Sequence, residues 1–126
     1  MKRPKPFVPA SCHCGLPRPY LHCCAVFHRG QAHAATAELL MRSRYSAYVV
    51  RDRSYLLQTW HPSTRPPSLE LDDTRWTRLE VLQATGGGLL ENEGTVHFRA
   101  HHGRSVLDER SRFVRDSGRW SYLGPL

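Results

Sequence analysis

The chain has 126 residues, enough for one domain or for a small domain with a short appended module. Its composition, 40% hydrophobic and 23% charged with a mean hydropathy of -0.53, is typical of a soluble globular protein, and no apolar run approaches the ~20 residues that span a bilayer. The net charge of +7 permits a nucleic-acid or anionic-lipid partner without requiring one, because the arginines are spread along the chain.

Residues 1–11 are predicted to be a flexible basic leader. The first ten, MKRPKPFVPA, contain three prolines, which disfavour a helix, and three basic residues. They lack the apolar stretch of a secretory signal. We therefore expect a cytoplasmic protein, in a compartment that keeps thiols reduced.

All four cysteines lie between residues 12 and 24, with the spacing Cys-x-Cys-x8-Cys-Cys. In a reducing compartment this clustering favours metal binding over disulfides. Two pairs of thiolates joined by a loop can surround zinc tetrahedrally, and Gly15 can turn the chain after the first pair. The pattern predicts a structural Zn2+ site whose four ligands leave no position for water: Cys12, Cys14, Cys23 and Cys24.

Other interpretations of the cysteine cluster remain open at this point. Two disulfides are geometrically feasible but suit an oxidising compartment. An iron–sulfur cluster also takes four cysteines, although this spacing is not a usual ferredoxin pattern. His22 or His28 could replace one thiolate, but the cysteines already complete the ligand count.

Two helices are predicted after the cysteine segment. Residues 36–50 repeat apolar side chains at three- and four-residue spacings, and Thr36 can cap the first turn. Residues 52–60 form a second, shorter helix with Asp52 or Ser54 as its cap. A turn-rich connector follows the second helix.

The remainder of the chain predicts an antiparallel sheet. Alternation of apolar and polar residues and intervening turn residues indicate four strands at residues 75–85, 94–102, 108–115 and 119–123. In the second strand one face carries Val96, Phe98 and Ala100. Helices followed by antiparallel strands predict an α+β domain, with the helices packed on one face of the sheet.

Two segments resemble known families. Residues 12–24 (CHCGLPRPYLHCC) resemble the SEC-C motif, a zinc-binding segment of the SecA translocation ATPase and of many small bacterial proteins. Residues 39–66 (LLMRSRYSAYVVRDRSYLLQTWHPSTRP) resemble the YchJ family, sharpest at RSRYSA and TWHPST. The family usually has Gly-Ser-Gly after the second cysteine and a glycine after the cysteine pair, where this chain has Gly15-Leu16-Pro17 and Ala25.

The resemblance implies a fold and a metal but no reaction. It divides the chain into a leader at residues 1–11, a SEC-C segment at residues 12–30, and a domain of the nuclear-transport-factor-two-like fold at residues 31–126. That fold is a cone of helices closed over a curved sheet. The resemblance assigns the zinc ligands to the same four cysteines, Cys12, Cys14, Cys23 and Cys24.

A cone of this kind often encloses a pocket, and the candidates for its lining are Arg44, Tyr48, Trp60 and His61. His61 could act there as a general base, but a histidine at a helix end is more often a cap on the last carbonyls. Arg44 on the core-facing stripe of its helix is expected to pair with a carboxylate.

Polar residues on the second predicted strand give one more candidate site. His97, Arg99 and His101 share a strand face that could bind an anion. The solvated outer face of a sheet is the preferred interpretation.

Three functions are carried forward. The first is a non-enzymatic adaptor that binds a protein partner through the zinc segment, because a closed thiolate site is structural. The alternatives are a nucleic-acid-binding protein that uses the basic leader (Lys2, Arg3, Lys5), and an enzyme or ligand binder that uses the cone pocket.

Overall fold

The structure is a computed structural model, and it describes residues 11–126. The basic leader therefore lies almost wholly outside the described residues. A 3-10 helix at Tyr20–His22 is followed by the helices α1 (Cys24–His28), α2 (Ala37–Val50) and α3 (Arg53–Gln58). The strands are β1 (Trp76–Gly86), β2 (Glu93–His102), β3 (Ser105–Asp116) and β4 (Arg119–Pro125). None of the helices in the described range has the length and apolar character needed to cross a membrane.

Helices α2 and α3 begin at side-chain caps, as predicted. The Leu39 amide donates to the Thr36 hydroxyl oxygen at 3.1 Å, and the Tyr55 amide donates to a carboxylate oxygen of Asp52 at 3.0 Å. Of the two predicted caps for α3, the structure uses Asp52. Helix α3 ends at Gln58, two residues before the predicted end, because the Trp60 amide bonds to the Leu57 carbonyl only three residues back, at 3.3 Å, and the Thr59 carbonyl accepts from the Tyr122 amide of β4 at 2.8 Å.

The four strands form one antiparallel sheet in the order β1-β2-β3-β4. Ser117 and Gly118 both have positive φ, 51° and 78°, which makes the predicted β3–β4 hairpin turn. Strand β3 begins at Ser105, and the prediction that it begins at residue 108 was wrong. Gly103 and Arg104 alone form the turn after β2, so pairing starts with Ser105 opposite His102.

The core lies between α2 and the inner face of the sheet. Its largest buried members include Leu40 from α2, Val96 from β2 and Phe113 from β3, each at most 2% exposed. The Trp120 indole nitrogen donates to the Ala35 carbonyl at 3.1 Å and so ties β4 to the start of α2. The predicted inner face of β2 is confirmed, since Val96 and Ala100 are buried and Phe98 packs against the core.

Candidate metal centre and the cavity between helix α2 and the sheet

The four cysteines form one buried cluster at the start of the described chain. Their sulfur atoms all lie within 4.8 Å of one another, and no cysteine is more than 4% exposed. All four are free thiols. The 3.6 Å between the sulfurs of Cys14 and Cys23 is far longer than a disulfide bond of about 2.05 Å. The cluster could therefore hold a metal ion.

The local backbone brings the two cysteine pairs together. Gly15, with φ +92°, turns the chain after Cys14, in a conformation that other residues rarely adopt. The Cys12 amide donates to the Arg18 carbonyl at 2.6 Å and closes the loop between the pairs. The 3-10 helix Tyr20–His22 then delivers the second pair to the base of this loop.

The cluster is packed directly against helix α2. The Arg42 guanidinium donates to the Cys14 carbonyl at 2.6 Å and also contacts Glu38 at 3.1 Å. The Cys24 thiol faces the Arg42 carbonyl, and the Cys12 sulfur faces the Ser46 hydroxyl, both at 3.9 Å. A metal held by the cluster would thus be fixed relative to α2.

His28 connects the cysteine segment to α2 without reaching the cysteine sulfurs. Its Nε2 lies 2.8 Å from the Ser43 carbonyl, which can only accept, so Nε2 carries the proton and donates. Its Nδ1 lies 2.7 Å from the Tyr20 hydroxyl. His22 is exposed. Among residues 11–126 the candidate ligand group therefore contains cysteines alone.

Without a metal, the thiols of the cluster differ in pKa. The Cys24 thiol donates a hydrogen bond to Cys14, which lowers the pKa of Cys14 to about 5. The same hydrogen bond raises the pKa of Cys24, and burial raises the pKa of Cys23 to about 12. A divalent cation would displace these protons, and four thiolates are a donor set that suits zinc.

A cavity of about 220 Å³ lies between α2 and the sheet. We call it the cone cavity. Three of the four predicted pocket residues line it together, namely Arg44, Tyr48 and Trp60. The fourth, His61, does not line it.

Arg44 is the most deeply buried charged side chain of this cavity, at 5% exposure. Its Nη1 donates to the Leu56 carbonyl and to the Thr59 hydroxyl, each at 2.7 Å. The guanidinium carbon lies 5.1 Å from the centre of the Trp60 ring and 4.6 Å from that of Tyr122. Burial lowers the pKa of Arg44 to about 10, so the group remains charged at neutral pH.

The expected carboxylate partner of Arg44 is absent. Among the described residues, no carboxylate oxygen lies within 4.0 Å of its guanidinium. The carboxylate of Glu109, which also lines the cavity, acts on Arg44 at longer range and raises its pKa slightly against the effect of burial. Glu109 instead accepts from the hydroxyls of Ser111 and, at 3.2 Å, Tyr122. Aromatic rings and a carbonyl therefore replace the predicted ion pair.

Glu109 was missed by the sequence analysis, although a signal was present. It alternates with Ser111 and Phe113 along β3, and the latter two are buried. An acidic residue in phase with the buried face of a strand is costly unless it is hydrogen-bonded. That phase places Glu109 on the cavity side of the sheet.

His61 joins the connector to the β3–β4 turn. Its Nε2 lies 2.7 Å from a carboxylate oxygen of Asp116, and its Nδ1 lies 2.6 Å from the Ser63 hydroxyl. Since the Ser63 amide also donates to Nδ1 at 3.1 Å, the ring proton is on Nε2, facing Asp116. The side chain does not bond the last carbonyls of α3, so the predicted helix cap is wrong.

Comparison with known proteins places this chain in a family. The model of the domain described as "YchJ, middle NTF2-like domain" matches residues 36–125. The chain belongs to the YchJ family. The matched range holds α2, α3 and all four strands, so the implied nuclear-transport-factor-two-like fold is confirmed.

Relatives of this YchJ-family chain extend the likeness to the cysteine segment. A UPF0225 protein of Streptomyces avermitilis is 55% identical over 116 residues, which are 91% of this chain and 83% of the relative. A second UPF0225 protein, from Streptomyces coelicolor, is 54% identical over 112 residues, which are 88% of this chain and 90% of that relative.

Two solved structures of proteins described as containing a SEC-C motif are similar to this chain. The solution structure of a SEC-C motif-containing protein from Rhodopseudomonas palustris superposes with a TM-score of 0.81 at 31% identity, and covers 93% of this chain and 98% of its own. A crystal structure of a SEC-C motif-containing protein from Psychrobacter arcticus gives 0.77 at 28% identity, covering 91% of this chain and 81% of its own.

Two residues of this YchJ-family member differ from the SEC-C pattern, and the structure shows where each of them packs. Leu16, where the resemblance implies a serine, is partly buried against the cysteine cluster. Ala25, where the resemblance implies a glycine, lies inside α1 and is 1% exposed. With these residues in place, the four sulfur atoms still lie within 4.8 Å of one another.

The polar face of β2 in this YchJ-family member is the outer face of the sheet. His97 and Arg99 both contact Asp108, at 2.7 Å and 2.9 Å, and His101 contacts Glu80. These cross-strand ion pairs partly neutralise the cations, so the face carries alternating charge rather than an anion-binding cluster.

Proposed function

We propose that this protein is a non-enzymatic zinc-binding adaptor, in which four thiolates hold a structural Zn2+ and the surrounding knuckle binds a protein partner. The observation that carries the proposal is the closed, buried set of four cysteine sulfurs. The ligands would be Cys12, Cys14, Cys23 and Cys24. Thiolate sulfur is the donor that zinc prefers in structural sites, and a filled shell leaves no position for a catalytic water.

The packing of the knuckle on α2 supports a structural role. A small segment cannot bury enough apolar surface to fold alone, so a metal adds the missing stability. Contacts from Arg42 and His28 then join the segment to the domain. We propose that residues 12–30 are the SEC-C segment and residues 31–126 the carrier domain. A site made of four thiolates suits a reducing compartment such as the cytoplasm.

The partner surface would be the outward side of the knuckle. His13, Arg18 and Leu21 are exposed there, and the apolar Leu21 is 58% exposed. An exposed leucine beside basic residues can supply an apolar contact within a polar rim, which is the usual composition of a protein interface. Nucleic acid is a weaker candidate, because acidic residues pair with cations on the outer face of the sheet.

The test is affinity capture with matched variants, read by quantitative mass spectrometry. Leu21→Glu should keep its zinc and lose the bound partner. Leu82→Glu is the matched control, since Leu82 is 42% exposed but on the sheet, and it should retain the partner. Cys14→Ser should lose both zinc and partner. Recovery of the same proteins by all variants, or enrichment of none by the wild-type protein, would count against the adaptor.

A further inference from the structure

The cone cavity contains polar groups that the zinc adaptor does not use. Arg44, at 5% exposure, employs only Nη1 in hydrogen bonds. Its Nε and Nη2 have no hydrogen-bond partner among the described residues. Glu109 shares the cavity but accepts from Ser111 and Tyr122 instead, and a buried cation is stabilised further by a directly bonded anion. The two free nitrogens of Arg44 could therefore bind an anionic ligand.

A second donor beside Arg44 also lacks an acceptor. The Trp60 ring centre lies 5.1 Å from the guanidinium carbon, and the Trp60 indole N–H is buried with no hydrogen-bond partner among residues 11–126. That N–H is closed to water, so it does not open into the cavity, and Trp60 contributes its ring to the wall. The free guanidinium nitrogens of Arg44 are therefore the groups that call for ligand oxygen atoms.

The walls limit what else a ligand can contain. Aromatic side chains line much of the cavity, including Tyr45, Trp76, Phe98 and Phe113, and they favour a flat apolar group. An engineered apolar cavity of about 150 Å³ is enough to bind benzene, so a volume of about 220 Å³ leaves room for a short substituent on the ring. That space suits one aromatic ring with a short acidic substituent.

Glu109 restricts the charge of the ligand. Its Oε2 is held by the hydroxyls of Ser111 and Tyr122, and Tyr122 also lies under Arg44 at 4.6 Å. A dianion in this cavity would meet the Glu109 carboxylate, whereas a monoanion can face Arg44 with its ring away from Glu109. The cavity therefore favours a single negative charge at the Arg44 end.

We propose that the cone cavity binds a small aromatic monocarboxylic acid, with its carboxylate on Arg44 and its ring between the aromatic walls. A planar guanidinium with two free N–H-bearing nitrogens matches a carboxylate in bidentate geometry. The site is separate from the cysteine cluster and makes the domain a ligand-binding module in addition to an adaptor.

The test uses benzoate as the probe and benzamide as its uncharged analogue of nearly equal shape. Each is titrated into the zinc-loaded full chain and followed by amide chemical shifts, with variant folding checked by thermal melting. Benzoate should bind with a Kd of about 0.1 to 1 mM and at least about tenfold more tightly than benzamide. Shifts should centre on the cavity residues of α2 and β3.

Three variants separate charge from shape. Arg44→Gln should abolish the preference for the acid over the amide. Ala100→Leu places a larger side chain at a buried cavity wall and should weaken both probes, which keeps the proposal testable if Arg44→Gln does not fold. Arg104→Gln, in the exposed turn after β2, removes the same charge and should change nothing.

Several outcomes would overturn the proposal. These are equal binding of acid and amide by the wild-type protein, an acid preference that survives Arg44→Gln, and no binding of either probe up to about 10 mM.

Discussion

Replacing His28 with alanine tests whether the cysteine segment is held to α2 as the structure shows. The ring of His28 links Tyr20 at 2.7 Å to the Ser43 carbonyl at 2.8 Å and packs on the Tyr55 ring with 4.7 Å between centres. Two hydrogen bonds contribute about 1 kcal/mol each, and the aromatic contact contributes about 0.5–1 kcal/mol. We expect His28→Ala to lower the free energy of unfolding by about 2.5–3 kcal/mol.

The assay is chemical denaturation of the zinc-loaded protein, together with its melting temperature and zinc content. At this chain length 1 kcal/mol corresponds to about 3–5 °C, so the melting temperature should fall by roughly 8–15 °C. Zinc should stay at about one per chain, because His28 is not among the proposed ligands. His22→Ala is the matched control, since His22 is exposed, and its effect should stay within about 0.5 kcal/mol.

Two results for His28→Ala would refute this reasoning. A loss of zinc would make His28 a ligand, and an effect as small as that of His22→Ala would show that the segment is not braced through α2.

Other predictions concern the domain itself. Thr36→Ala removes the cap on the Leu39 amide and should lower the free energy of unfolding, measured by urea denaturation, by about 1 kcal/mol. An unchanged urea midpoint would show that the cap is not needed. Phe113→Ala leaves a cavity at a core position that is 2% exposed and should cost about 3–5 kcal/mol, and a loss below about 1 kcal/mol would contradict the assigned core. All five tyrosines have pKa values raised first by burial, to about 12 for two of them: Tyr20, Tyr45, Tyr48, Tyr55 and Tyr122. Their folded pKa values exceed the unfolded value, so the stability they contribute is present below about pH 10 and is lost as the pH rises through the folded values. Most of the tyrosinate absorbance at 295 nm should therefore appear above about pH 10, as the protein unfolds, and titration of all five tyrosines near pH 10 in the folded protein would contradict the burial.

Local signals in the sequence were sufficient for most of the fold. Thr36 and Asp52 stand directly before apolar-periodic segments, and both caps occur where predicted. Val96 and Ala100 alternate with polar residues, so the buried face of β2 followed from a period of two. The start of β3 was misjudged, because Gly103-Arg104 carries only one of the usual turn residues.

The cavity and the histidine contacts depended on distant pairings. Asp116 lies 55 residues from His61, and a register between the connector and a hairpin turn cannot be read from local spacing. Arg44 was correctly placed on the core-facing side of α2, but its partners come from α3 and β4. The cysteine cluster was easier to predict, because all four residues lie close together in the sequence, between residues 12 and 24.

The central claim is that Cys12, Cys14, Cys23 and Cys24 together hold one structural zinc. The most direct measurement is elemental mass spectrometry of protein purified without added metal or chelator, alongside titration of its free thiols. The proposal predicts about one zinc per chain, with four thiols that become reactive only after denaturation with a chelator. Protein that contains neither zinc nor iron, with its thiols oxidised, would contradict the proposal and make the segment a disulfide element.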